Sequence, residues 1–303
     1  MKKEEVQFLT PVVTIFENDG KTPDWEGNRK VHDYLIRGGV DGLVLMGSTG
    51  EFFSMSMDTQ KAFIDFAAKT LAGRTRVFIG TGRMQINETI ELCNHAVEKG
   101  LNEVMIVSPY YFCLPESSIE AYYSQIAEHT KARIYLYNFP DRTGHDLSPK
   151  LVLRLAMKYE NIAGIKDTVT CMSHTSDILS LVKPVRPDFQ VFSGFDDNLN
   201  HNILGGGSGC IGGLSNLIPE KCAAWTESIR HGSLKDMEHW QRYFNDAMTL
   251  YRICTPFIPA VKYAMNLRGL AVNETCSAPI LPPDNRQREA LKQLLRRLDI
   301  QPL

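Results

Sequence analysis

Apolar, β-branched runs of four or five residues recur along the chain, at 12–16, 42–46, 77–80, 104–108, 134–138, 162–166, 189–193 and 209–213. They lack polar alternation, the pattern of parallel strands covered on both faces. Between them lie segments whose apolar residues return at helical spacing, among them 25–37, 58–71, 87–99, 117–130 and 148–158. Asn87 before Glu88, and Ser148 before Pro149, read as helix starts, with proline at the position where its missing N–H costs nothing. Adjacent parallel strands need crossover helices, so strand-then-helix repeated eight times predicts a closed (β/α)₈ barrel of the TIM type over residues 1–228. After that the strand runs stop. Helical stretches at 234–254, 256–268 and 285–298 predict a C-terminal helical subdomain over 229–303, and with no Pro/Ser linker before it, one that packs on the barrel.

Length and composition change this picture little. A chain of 303 residues, 43% hydrophobic and 22% charged, is an ordinary folded domain of barrel size. A formal charge of −2 offers no field to gather nucleic acid or an anionic membrane, and no apolar run has the length of a signal peptide or membrane span, so a cytoplasmic protein is expected. The seven cysteines form no Cys-x-x-Cys pair, and the two nearest histidines are His231 and His239. That spacing disfavours a disulfide framework, a thiolate zinc site and a metal-dependent aldolase; no metal or other cofactor is expected.

In such a barrel, chemistry gathers on the loops that follow the strands. Lys166 ends the sixth run, where a drier pocket would lower its proton affinity and free the amine that attacks a ketone. Gly47-Ser48-Thr49-Gly50 sets two hydroxyls between glycines, a nest for a small carboxylate or, more blandly, a capped turn. Tyr137 and Tyr111, at the fifth and fourth strand ends, are candidate proton relays or core tyrosines. Carbinolamine formation and dehydration need a proton shuttle beside the amine, which favours the chemical reading of the set.

Gly47-Ser48-Thr49-Gly50-Glu51, Tyr137-Asn138-Phe139-Pro140 and Gly164-Ile165-Lys166-Asp167-Thr168 together resemble the dihydrodipicolinate synthase and N-acetylneuraminate lyase family, over nearly the whole chain. The resemblance implies a (β/α)₈ barrel with a C-terminal helical part, a homotetramer built as a dimer of dimers, and pyruvate bound as an imine on Lys166. It implies Tyr137 as the general acid/base, with Thr49 and Gly50 at the pyruvate carboxylate. Ser48, in place of a threonine usual in the synthase branch, would link the tyrosines in a relay, with Tyr111 donated across a subunit interface. Ile211 would pack near the bound pyruvate.

The substrate partner divides the family. Arg142 matches the arginine that the synthase branch sets near its aldehyde's carboxylate, pointing to aspartate semialdehyde. Phe52, Gly194-Phe195-Asp196-Asp197 and Thr255-Pro256-Phe257 resemble instead the 2-keto-3-deoxy sugar acid aldolases, which cleave their substrate to pyruvate and an aldehyde. The aldolase branch is the expectation, with the synthase as alternative and a non-enzymatic 2-oxo-acid-binding barrel as a third reading. Gly205-Gly206-Gly207-Ser208-Gly209 precedes the eighth strand, the wrong end for a phosphate site, and reads as a helix stop.

Overall fold

A computed structural model of the chain describes residues 6–303. Seven of the eight apolar runs become parallel strands, and with a strand just ahead of the first run they close into a barrel in chain order. They are β1 (Gln7–Pro11), β2 (Gly42–Leu45), β3 (Arg76–Gly80), β4 (Glu103–Val107), β5 (Arg133–Asn138), β6 (Ile162–Asp167), β7 (Gln190–Ser193) and β8 (Gly209–Ile211). The helices are α1 (Trp25–Arg37), α2 (Met57–Leu71), α3 (Ile86–Glu98), α4 (Glu116–Glu128), the short α5 (Pro140–Thr143), α6 (Pro149–Lys158), α7 (Met172–Val182), α8 (Leu199–Leu204) and α9 (Pro219–His231). Then follow α10 (Leu234–Ala247), α11 (Ile258–Leu267) and α12 (Asn285–Arg297). No helix among the described residues is long and apolar enough to cross a membrane.

The fold divides into two compact units, one of Gln60–Gly73 with Val77–Ile211, the other of the chain up to Thr59 with Arg74–Arg76 and Gly212–Leu303. In the second unit, the boundary expected after residue 228 falls inside α9, whose Trp225 stacks on Phe244 of α10 at 4.4 Å between ring centroids.

Three local expectations are corrected. The first strand lies at Gln7–Pro11, ahead of the apolar run at 12–16. That run has its backbone paired by asparagine side chains: Val13 N–H donates to Asn216 Oδ1 (3.1 Å), Ile15 N–H to Asn28 Oδ1 (3.0 Å), and Asn28 Nδ2 returns a bond to Ile15 O (2.7 Å). A side-chain amide satisfies the same groups as a ladder, so apolar burial there needs no strand. Second, α3 starts from Gln85 rather than Asn87, with no side-chain cap. Third, the helix expected over 234–254 ends at Ala247 and tightens into a 3₁₀ turn, Met248–Arg252. The expected start at Ser148 stands, its Oγ accepting from Leu151 N–H at 3.1 Å with Pro149 following.

In the first unit, Phe78 of β3, Tyr135 of β5 and Phe192 of β7 meet with ring centroids 4.6 to 6.3 Å apart. Side chains from alternate strands that touch in this way form an interior layer of the barrel. The Tyr135 hydroxyl reaches Gln190 Oε1 at 2.8 Å and Glu103 Oε1 at 3.1 Å, so this layer is polar at its lower edge and fully bonded. Gly164 of β6 aligns with Tyr135, and a Cβ at that position would lie 2.5 Å from Gln190 O and 2.6 Å from the Tyr135 ring. Only glycine lets the ring cross here. Gly164→Ala is therefore expected to destabilise the protein by about 1–3 kcal/mol in urea unfolding at unchanged m, as overpacking does. A loss within about 0.5 kcal/mol would show that β6 moves aside freely.

Candidate active site

Strands β5 and β6 run side by side with Tyr137 opposite Lys166 and Asn138 opposite Asp167. Side chains alternate along a strand, so Tyr137 shares the interior face with Tyr135, and Lys166, aligned also with Phe192, shares it too. The amine of Lys166 lies 4.4 Å from the centre of the Tyr137 ring, and the lysine is 5% exposed. The structure thus brings together the two residues that were expected to carry imine chemistry. Ile211, buried on β8, faces the same interior by alternation from Gly209, which aligns with Phe192.

Asn138 and Asp167 point the other way, toward the helices. Asn138 Nδ2 donates to Asp167 Oδ1 (2.9 Å) and to Asp146 Oδ1 (2.7 Å), while its Oδ1 accepts from Leu147 N–H (3.0 Å). His174 of α7 closes the cluster, with Nδ1 3.0 Å from Asp167 Oδ2 and Nε2 3.0 Å from Asp146 Oδ2. Thr175 Oγ1 donates to Asp167 at 2.6 Å. Burial works against a charge on His174, but the hydrogen bonds and charges of the two aspartates outweigh it and hold the ring up at about 10. Burial likewise works against the Asp146 carboxylate, and the bonds from His174 and Asn138 bring it below the usual range.

Thr168 follows Lys166 by two residues, and its hydroxyl is buried with no hydrogen-bond partner among the described residues. A Cβ at residue 194 would lie 1.9 Å from that hydroxyl, so Gly194 is what leaves it room. Arg142, on α5, is exposed and lies 5.4 Å above the Phe139 ring. It is not paired with Asp146, whose carboxylate is taken by His174 and Asn138. Phe139 stacks on Tyr137 at 6.1 Å and meets Phe195 edge-on at 6.3 Å, an aromatic wall beside the lysine. Tyr111 is 86% exposed, holds a positive φ of 88° and packs edge-on against the exposed Phe112. Such a backbone is costly for a bulky residue.

In the second unit, Ser48, Thr49 and Gly50 lie in the turn after β2. Gly50 and Glu51 donate their amides back to Gly47 O (3.0 Å) and Ser48 O (3.2 Å), and Gly50 O accepts from Thr14 Oγ1 at 2.8 Å. A Cβ on Gly50 would come 3.0 Å from Val12 O. Thr49 is buried. Glu51, at φ 57°, turns its carboxylate wholly inward, accepting from Lys262 Nζ (2.7 Å) and from Ser277 N–H (2.7 Å) and Oγ (2.8 Å). Lys262 completes its shell on Thr275 O at 2.8 Å.

Sequence reading attached no role to His174, Lys262 or Ser277. For Lys262 a signal existed: α11 is buried almost all round, and a lysine in such a helix must have a partner. For His174 there was none, because its partners are set by the barrel and not by spacing. Removing Lys262 should leave Glu51 buried and unpaired, so Lys262→Met is expected to cost about 3–5 kcal/mol. Glu51→Gln added in the same chain should recover more than half of that loss in urea unfolding, whereas equal losses in single and double variants would show that the charge pair is not what matters.

Comparison with known proteins agrees with this geometry. The model of the dihydrodipicolinate synthetase family matches residues 5–298. The chain is 37% identical over 98% of its length to the Escherichia coli protein named "Probable 2-dehydro-3-deoxy-D-pentonate aldolase YjhH", and covers 98% of it. It is 33% identical to the 4-hydroxy-tetrahydrodipicolinate synthase of Kosmotoga olearia, over 94% of this chain and 95% of that one. Among solved structures it is similar to E. coli YagE in complex with pyruvate, a prophage protein of the dihydrodipicolinic acid synthase family, with a TM-score of 0.94 and 35% identity over 97% of this chain and 99% of that one.

Proposed function

The chain belongs to the dihydrodipicolinate synthetase family, and on that premise we propose that it is a class I lyase that cleaves a 2-keto-3-deoxy sugar acid reversibly to pyruvate and an aldehyde. The observation that carries this reading is the buried Lys166 amine over the Tyr137 ring. The amine adds to the C2 ketone, and loss of water from the carbinolamine leaves an iminium. Tyr137 takes the proton of the C4 hydroxyl, the C3–C4 bond breaks, and its electron pair flows to the iminium to give an enamine and the free aldehyde. Protonation at C3 and hydrolysis release pyruvate and regenerate Lys166. The iminium is the electron sink, so this chemistry calls for no metal.

In this reading Thr49 binds the substrate carboxylate beside Gly50, and Ser48 links the tyrosines in a proton relay. Since the amides of Gly50 and Glu51 close the turn, Thr49 supplies the donors in this reading. The unpartnered hydroxyl of Thr168, two residues beyond the lysine, is a buried polar atom that gains from a polar partner arriving with the ligand. Ile211 packs against the pyruvate methyl. A homotetramer, with Tyr111 entering a neighbour's relay, is supported by the exposure of the Tyr111–Phe112 pair.

Borohydride added with pyruvate should place one reduced pyruvate on Lys166, and Lys166→Ala should abolish both labelling and pyruvate release from 2-keto-3-deoxy acids. Label on another lysine would overturn the assignment. An absence of label would favour the non-enzymatic binding barrel.

Arg142 supports the second reading, condensation of pyruvate with aspartate semialdehyde, because its guanidinium is exposed and not held by Asp146. Under the aldolase reading, Arg142→Ala should leave sugar-acid cleavage within about tenfold, since contacts to hydroxyls are worth about 1 kcal/mol each. Under the synthase reading it should cost about a hundredfold in condensation, because a charge-assisted bidentate pair is lost. Steady-state kinetics on both substrates decides between them.

A further inference from the structure

The cluster behind β5 and β6 lies outside the reacting groups, yet it is built onto their backbones. Asn138 follows Tyr137 and Asp167 follows Lys166, and the hydrogen bond between the two side chains fixes the register in which the tyrosine faces the lysine. The loop that leaves β5 carries Phe139 and Arg142, and it returns to the same asparagine through Asp146 Oδ1 and Leu147 N–H. Both ends of the loop are thus tied to one residue.

Two carboxylates share this place. Asp146 and Asp167 accept from the same Asn138 nitrogen at 2.7 and 2.9 Å and from the two nitrogens of one imidazole, each at 3.0 Å. Like charges this close separate, or one takes a proton, unless a cation lies between them. The charges on neighbouring elements are engaged elsewhere. Lys166 is on the opposite face of β6, Arg154 of α6 is paired with Glu116 and Glu120, and His201 of α8 lies 3.2 Å from Ser176 Oγ. His145, on the loop itself, is turned to Ser108 at 3.0 Å, with burial pushing its proton affinity below the usual imidazole range. Cys171, just before α7, lies 3.0 Å from Ser173 Oγ, and Asp177 stands one turn beyond His174.

We propose that His174, as an imidazolium bridging Asp146 and Asp167, is a positioning residue that holds the Lys166–Tyr137 pair and the Arg142 loop in one working arrangement. This rests on the lyase reading above. His174 touches no substrate. Its proton keeps Asp146 against Asn138, and Asn138 in turn keeps β5 in register with β6.

The test follows exchange of the pyruvate methyl protons with deuterated solvent, which requires the imine and a proton transfer but no second substrate. In His174→Gln the amide keeps a hydrogen bond and loses the charge. Exchange should fall about tenfold or more at pH 7.5 and return to within about threefold of the unsubstituted protein at pH 5.5, where an aspartate takes up the missing proton. Adding Asp146→Asn removes the repulsion and should restore exchange at pH 7.5. A His174→Gln profile that matches the unsubstituted protein, or a loss equal at both pH values that Asp146→Asn does not repair, would overturn the proposal. Should His174→Gln fail to fold, the ring resonances of His174 in the unsubstituted chain decide: they should titrate near pH 10, and a midpoint near 6.5 would overturn it. Absence of exchange in the unsubstituted protein would overturn the lyase reading itself, and this inference with it.

Discussion

One strand with two faces sets the terms for this molecule. β6 turns Gly164 and Lys166 into the barrel and Ile165 and Asp167 toward the helices. Inside, the missing side chain at 164 admits the Tyr135 ring, which completes an aromatic layer with Phe78 and Phe192. Lys166 stands two residues further along, over Tyr137. A β-strand rises about 3.3 Å per residue, so the amine's stem begins roughly 7 Å along the strand from Gly164. Outside, Asp167 binds Asn138, Thr175 and His174. Neighbouring residues with opposite charges therefore do not pair with each other, and the lysine is left to the interior.

The barrel was legible because its strands are covered on both faces: continuous apolar runs are what burial on two sides requires, and seven of the eight runs mark their strands to within a residue or two. The first run misleads for a physical reason. The segment at 12–16 is as buried as a strand, but Asn28 and Asn216 satisfy its backbone, and hydrophobicity alone does not distinguish the two. Lys166, Tyr137 and the Ser48–Gly50 turn became candidates because strand ends in a barrel are where chemistry gathers, so position narrowed the choice. The clusters around Glu51 and His174 were not. Lys262 is 211 residues from its partner, and His174 meets Asp146 only because β5 and β6 run side by side.

Two buried lysines differ in what stands beside the amine. Lys262 lies in a helix with no exposed side chain area, its ammonium bonded to Glu51 Oε1 and Thr275 O. Two of its three hydrogens are committed, and giving up its charge would leave a carboxylate buried without its counter-charge. Lys166 is nearly as buried, but an aromatic ring takes the place of a carboxylate beside it. A ring face contributes about 0.5–2 kcal/mol to a cation and offers no acceptor geometry that a bound oxo acid would have to break. The amine next to Tyr137 is therefore the one free to change its bonding during a reaction, and burial by itself, which both lysines share, does not mark a nucleophile.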